Sequence, residues 1–239
     1  MAILKRIVAR LKRAAAAYPM PRGHYKEVWT SLSEGEGNAK LWVQGTEDEA
    51  TLLESARNDL ARIRRSAGVR AGDDVAEIGC GVGRLGTVFA PICRSWTGCD
   101  VSPHMLAHAA RRLKPFPNVR FVELSGYDLA PLPTASMDLV YCTVVFMHLA
   151  EWDRYSYVEE AHRVLRDGGR LFIDNISLTT DYGWNFFQES RRIPPSRRPP
   201  QIGSTSTPQE FEVYLRRAGF RDVRVDLVNE PWIVGTGVK

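Results

Sequence analysis

The chain has 239 residues, 44% of them hydrophobic and 25% charged, with a net charge of +4. That length supports one sizeable α/β domain with a full core and modest additions, and the composition is that of a soluble globular protein. No apolar run approaches the ~20 residues of a membrane-spanning helix, and the start lacks the apolar stretch and cleavage site of a signal peptide.

Residues 1–17 carry Lys5, Arg6, Arg10, Lys12 and Arg13 without an acid, while Ile3, Leu4, Ile7, Val8 and Leu11 recur at helical spacing. The pattern predicts a basic amphipathic helix that either lies on an anionic membrane surface or packs on its own domain. Residues 18–45 hold Tyr18, Tyr25, Trp29 and Trp42 without a period. They predict an irregular arm, so that 1–45 precede a domain over 46–239. Thr46-Glu-Asp-Glu49 reads as a capping box opening a helix to about Ser66, which Gly68 ends.

From there strand and helix patterns alternate. Strands are expected at Asp74–Ile78, Ser95–Val101, Val119–Leu124, Met137–Val145 and Arg170–Ile176, with helices at Arg84–Cys93, Pro103–Lys114 and Trp152–Leu165. Ser102-Pro103 is a cap followed by proline at the first helical position, and Gly168-Gly169 predicts a turn before the fifth strand. Such alternation implies a doubly wound parallel sheet with helices on both faces. Thr207-Pro208-Gln-Glu210 then caps a helix to about Ala218. Val223–Val228 and Trp232–Val238 follow, separated only by Asn229-Glu230-Pro231, a gap that permits only an antiparallel hairpin. The four cysteines, Cys80, Cys93, Cys99 and Cys142, show no framework spacing. They read as free thiols in a reducing compartment, the cytoplasm.

The first strand ends in Glu77-Ile78-Gly79-Cys80-Gly81-Val82-Gly83, just before a helix. Glycines there let a ligand approach the main chain at the topological switch point. Asp100, ending the second strand, can accept both hydroxyls of an adenosine ribose. Gly81-Val-Gly83-Arg-Leu-Gly86 also matches the dinucleotide pattern, so the turn alone admits NAD. Glu77 opposes a pyrophosphate but suits the cationic amino-acid end of S-adenosylmethionine. The terminal hairpin agrees, because a dinucleotide fold normally continues with parallel units.

From Asp73 to the C-terminus the sequence resembles the class I S-adenosylmethionine-dependent methyltransferases. Five stretches match in order: Val75–Arg84, Gly98-Cys-Asp100-Val-Ser-Pro-His-Met105-Leu, Gly126-Tyr127-Asp128-Leu129, Met137-Asp138-Leu-Val-Tyr141 and Val164–Leu171. The resemblance implies a Rossmann-like seven-stranded sheet of order 3-2-1-4-5-7-6 with strand 7 antiparallel. It implies S-adenosylmethionine as cofactor, held by Glu77, Gly79, Cys80, Gly81, Gly83, Asp100, Val101, Met105, Tyr127, Asp128, Leu129 and Cys142.

The acceptor is expected over strands four and five. His148, after strand four, has the titration range of a general base, or it braces its loop. The Asn/Asp-Pro-Pro-aromatic and Pro-Cys signatures of nucleic-acid enzymes in this family are absent, so a small molecule is expected and nucleic acid is not. Asp174-Asn175 resembles the magnesium-binding pair of catechol-type O-methyltransferases, but no Asp after strand four completes it. A metal on Asp174 is therefore not favoured over an acceptor-binding role. A lid-like loop over residues 177–206 carries Tyr182, Trp184, Phe186 and Phe187, then Arg191, Arg192, Arg197 and Arg198. With Trp29 it could close on a sugar or aryl ring. The expectation is methyl transfer to a sugar or phenolic, polyketide-like hydroxyl. N- or C-methylation of a lipid-linked substrate, a nicotinamide-dependent oxidoreductase and a non-catalytic binding module are the alternatives. Monomer and homodimer are both open.

Overall fold

A strand buried on both faces reads as a nearly continuous apolar run, because helices cover either side. Asp74–Ile78 (β1), Met137–Cys142 (β4) and Leu165–Ile176 (β5) are of this kind, each with most residues buried. The computed structural model describes residues 24–228 and 231–239; the basic helix expected over 1–17 lies outside them.

Ser95–Asp100 (β2), Val119–Glu123 (β3), Arg221–Leu227 (β6) and Trp232–Val238 (β7) complete one seven-stranded sheet of order β3-β2-β1-β4-β5-β7-β6. β1 pairs in parallel with β2 and β4, and β7 runs antiparallel to both β5 and β6. The alternation expected from sequence and the closing hairpin are both present.

The strands send alternate residues to two cores. Val75, Leu139, Tyr141 and Phe172 pack with Ala56, Leu60 and Ile63 of the helix Glu49–Ser66, and with Leu85 and Phe89. Ala76, Ile78, Val140, Cys142, Leu171 and Ile173 pack on the other side. There they meet Val158, Ala161 and Val164 of the helix Glu151–Val164, and Phe211 and Leu215 of Pro208–Arg217. In chain order the helices are Tyr25–Leu32 (α1), Glu36–Gln44 (α2), Glu49–Ser66 (α3), Gly86–Phe89 (α4), Pro103–Arg112 (α5), Glu151–Val164 (α6), Asp181–Arg192 (α7) and Pro208–Arg217 (α8).

Several expectations are corrected. Residues 25–44 are not irregular but form α1 and α2, neither with a side-chain cap at its start. Tertiary contacts hold them instead: the hydroxyls of Ser33 and Ser102 meet at 2.7 Å, and the His108 ring nitrogen Nε2 lies 2.9 Å from the Ser33 carbonyl. The cap of α3 is Asp48, whose carboxylate accepts from the Thr51 amide at 2.7 Å; Thr46 only braces Asp48. The helix expected over 84–93 shortens to α4 and a 3-10 turn, Ala90–Ile92. Gly168-Gly169 lies inside β5, where the register against β4 shifts.

The stretch 177–206 contains α7, capped by the Thr180 hydroxyl accepting from the Gly183 amide at 3.0 Å. Its two ends are joined by a bridge between Ser177 and Ser206. Arg154 on α6 ties this excursion down. Its guanidinium donates to the Phe146 carbonyl at 2.8 Å, to the Ser206 hydroxyl at 2.7 Å, to Glu210 at 2.9 Å and to the Ser204 hydroxyl. Because Arg154 is buried, removing it strands Glu210 and the Phe146 carbonyl. Arg154→Met should lower unfolding free energy by about 3–5 kcal/mol; urea titration checks this, and a loss below ~1 kcal/mol would contradict the anchoring role.

Candidate active site

The chain leaves β1 through two residues in the left-handed region, Gly79 (φ 71°) and Gly81 (φ 52°). Side chains resist that conformation, and space resists them too. A Cβ on Gly79 would collide with Val145, and one on Gly81 would sit 2.7 Å from Val43 of α2. The amides of Gly79 and Cys80 still donate to the Cys99 carbonyl at 2.8 and 2.9 Å, so the turn is anchored to β2. Asp100 fastens it from the other side. One carboxylate oxygen accepts from the Gly81 amide at 2.8 Å and the other from the Ser102 amide at 2.9 Å.

Around this turn lies a cavity. It opens at the carboxyl ends of β1, β2 and β4, the switch point of the sheet. Glu77, Arg84 and Asp100 provide its charge; Val101, Met105 and Leu124 wall one end, and Thr143, Val144 and Val145 the other. α1 and α2 roof it with Tyr25, Trp29, Trp42 and Val43.

Glu77 is the end of a buried relay. The Trp96 indole donates to the Tyr141 hydroxyl at 2.9 Å, which donates to Glu77 at 2.8 Å. Burial nevertheless pushes the Glu77 carboxyl up to about 8, against the pull of the Tyr141 hydrogen bond and the Arg84 charge. Burial likewise lifts Asp100 to about 6 despite its backbone donors. Two carboxyls that resist ionising face one empty space, and a cationic ligand would relieve both.

His148 sits in the 3-10 turn Phe146–His148 after β4. Its Nδ1 lies 2.8 Å from the Gln201 carbonyl. A carbonyl only accepts, so Nδ1 carries the proton and Nε2 keeps its lone pair. Burial lowers the His148 pKa, favouring this neutral form. The ring meets Trp29 edge-on at 4.9 Å. Both residues also line a second cavity, bounded by Tyr25, Met147, Trp152, Asp153 and the 200–204 segment.

Of the residues expected from sequence, Glu77, Gly79, Cys80, Gly81, Asp100, Val101, Met105, His148 and Trp29 converge on the first cavity. The others do not line it. Gly83 packs against Ala109 and Leu113, and Leu129 and Cys142 belong to the core. Tyr127 packs on Tyr25 from outside, while Asp128 accepts from the Ala130 amide of its own loop; that loop reaches the cavity at Gly126. Asn175 is spent on Ser206 and on the Ile176 amide. Asp174 is fully buried against Arg62 at 2.6 Å and the Val144 amide at 2.8 Å, which leaves it unsuited to an acceptor or a metal. Among the described residues no three His, Cys, Asp or Glu side chains could share a metal ion. Tyr182 and Trp184 are exposed on α7, Trp184 stacked on Phe187, and they line neither cavity.

Residues not foreseen are Tyr25, Val43, Arg84, Thr143, Val144 and Tyr157. Arg84 stood inside the first matching stretch, and Tyr25 was an aromatic in the arm. Val144 gave no signal.

The Glu77 shift carries a sign. A carboxyl raised in the folded state stabilises the fold fully below its unfolded pKa of ~4.5, and this contribution disappears as pH rises through about 8. Glu77→Gln should therefore flatten the fall in unfolding free energy of the ligand-free protein between those pH values. Denaturant titrations across that window test it, and an unchanged slope would refute the assignment.

Comparison with known proteins fits this geometry. A family model described as a methyltransferase domain matches residues 76–173. Demethylmenaquinone methyltransferase of Tropheryma whipplei is 34% identical over 134 residues, 54% of this chain and 54% of that protein. The 27-O-demethylrifamycin SV methyltransferase of Amycolatopsis mediterranei is 32% identical over 192 residues, 77% of this chain and 67% of that protein. The matches to the first curated relatives span only 40% and 54% of their lengths. Among solved structures, a SAM-dependent methyltransferase from Aquifex aeolicus shares the fold with a TM-score of 0.59 at 21% identity, over 80% of this chain and 93% of that one. Magnesium protoporphyrin IX methyltransferase from Synechocystis PCC 6803, solved with bound SAH, does so with a TM-score of 0.60 at 18% identity, over 78% and 83%. With its sheet order, its glycine turn and a relative matched over two thirds of that protein's length, this chain belongs to the class I S-adenosylmethionine-dependent methyltransferase family.

Proposed function

We propose that the protein transfers a methyl group from S-adenosylmethionine to a hydroxyl of a small molecule, a sugar or a phenolic, polyketide-like compound, with His148 as general base. The observation that carries this reading is the position of His148. It lines both cavities and turns an unprotonated Nε2 away from its anchor on Gln201. The A. mediterranei relative, whose name places its methyl on oxygen, supports the choice of acceptor atom.

The first cavity suits the cofactor by its chemistry. Glu77 would take the ammonium end, and Asp100 retains lone pairs for ribose hydroxyls beyond the two amides it accepts. Met105 and Val101 would flank the adenine, and the bare backbone at Gly79 and Gly81 leaves room for close approach. When bound, S-adenosylmethionine supplies a methyl already activated on a sulfonium. The protein's task is then to align the acceptor, exclude water and remove one proton. Trp29 and Tyr25 line both cavities beside His148, which accepts the proton as the hydroxyl attacks. The second cavity, with Trp29, Trp152 and Met147 in its wall, suits a ring-bearing acceptor.

Asp100→Ala should weaken S-adenosylhomocysteine at least tenfold, about 1.4 kcal/mol, by calorimetry; undiminished affinity would remove the ribose role. His148→Ala should cut kcat by about 100-fold or more while leaving S-adenosylhomocysteine affinity within about twofold. Because burial lowers the His148 pKa, the acid limb of the wild-type kcat profile should fall below ~6.5. Methyl transfer to a panel of phenolic and glycosidic hydroxyls, read by product mass, tests the acceptor class. Methylation of amines or carbons alone would overturn it. A chelator should leave turnover unchanged, since Arg62 already occupies Asp174.

A further inference from the structure

Asp174 lies near the carboxyl end of β5 yet lines neither cavity. It belongs to a buried chain of alternating charges. Arg84, which lines the donor cavity, lies 2.7 Å from Asp59; Asp59 lies 2.9 Å from Arg62; and Arg62 lies 2.6 Å from Asp174. The guanidinium of Arg62 rests over the rings of Phe172 and Trp232, with Nε and Nη1 unpaired. Burying these charges is costly, and an apolar replacement would commonly be as stable. Where the chain ends indicates its use.

The last link is the hydrogen bond from the Val144 amide to Asp174, 2.8 Å long. Val144 adopts φ 61°, a left-handed conformation that a β-branched residue occupies only at a cost of roughly 1–3 kcal/mol. That conformation shapes the turn after β4. Thr143, Val144 and Val145 form one wall of the donor cavity, and Val145 closes on the space beside Gly79. The His148 amide then donates to the Val145 carbonyl at 2.9 Å, so the same turn carries the proposed base.

We propose that Asp174 is a positioning residue, clamping Val144 in its left-handed conformation and thereby setting the β4 turn against the glycine loop in the geometry that binds S-adenosylmethionine. Arg62, held by Asp59, aims the carboxylate and pulls it toward its ionised form, against the burial that pushes Asp174 up to about 6. A charged acceptor makes the stronger clamp, because charge-assisted hydrogen bonds are about twice as strong as neutral ones. The proposal rests on the donor cavity described above and is independent of the atom that is methylated.

The test is calorimetric binding of S-adenosylhomocysteine, with the thermal midpoint recorded beside it, for Asp174→Asn, Val144→Gly and the double variant. Asp174→Asn should weaken binding at least tenfold at a temperature where the variant remains folded. Val144→Gly also trims a wall of the donor cavity, so its own affinity is the baseline for the double variant. The double variant should bind within threefold of Val144→Gly, because glycine takes φ 61° without a clamp and Asp174→Asn then has nothing left to release. Arg62→Lys keeps a cation beside Asp174 but loses the Nη2 that bridges Asp174 and Asp59. It should show a smaller weakening, also relieved by Val144→Gly, and it decides the matter if Asp174→Asn does not fold. Affinity within twofold of wild type in the clamp variants overturns the proposal. So does a weakening that Val144→Gly leaves in place, since a residue acting only through stability would lower the thermal midpoint without such relief. Wild-type protein that binds no S-adenosylhomocysteine would instead refute the donor assignment itself.

Discussion

Three carboxylates, Glu77, Asp100 and Asp174, stand buried at the carboxyl ends of β1, β2 and β5. All three are withdrawn from bulk water, Asp174 completely and the other two at the wall of the first cavity, so each leans on protein groups for its partners. The architecture around the switch point answers that demand in three ways. Asp100 is held by backbone amides and so shapes the glycine loop. Asp174 is held by a guanidinium and an amide and so shapes the β4 turn. Glu77 receives one hydroxyl and is otherwise left to resist ionisation. The first two build the walls, and the third waits for a counter-charge.

The sheet was legible in the sequence because its signals are local. Apolar runs of strand length, the Ser102 and Thr207 caps and the short gap before β7 each act over a few residues, and all appear where expected. The glycine turn and Asp100 were legible because close approach to backbone demands glycine and a carboxylate at fixed places.

What was not legible depends on distant partners. α1 and α2 contain Gly37 and several aromatics and lack side-chain caps, so nothing local announces a helix; Ser102 and His108 hold the end of α1, and Glu49 of α3 pairs with Lys40 of α2. Asp174 read as an acceptor or metal ligand because its neighbour is Asn175, whereas its partner Arg62 lies 112 positions earlier. The aromatics after β5 read as a lid because their order along the chain is that of a lid. α7 instead turns Tyr182, Trp184 and Phe187 to solvent, and the wall of the second cavity comes from Pro200, Gln201, Ile202 and Ser204 further on.

The second cavity has a composition unlike the first. Its wall comes from residues 24–29, 147–153 and 200–204, none of which is a strand of the sheet. The glycine loop and its carboxylates, by contrast, grow directly from β1 and β2. The two cavities nonetheless share Tyr25, Trp29, His148 and Leu149. On the proposed assignment, changes confined to Met147, Trp152 and the 200–204 segment would alter the second cavity alone, while a change in α1 would be felt at both. Drift in the unshared wall is thus the route that leaves the glycine loop and its strands as they are.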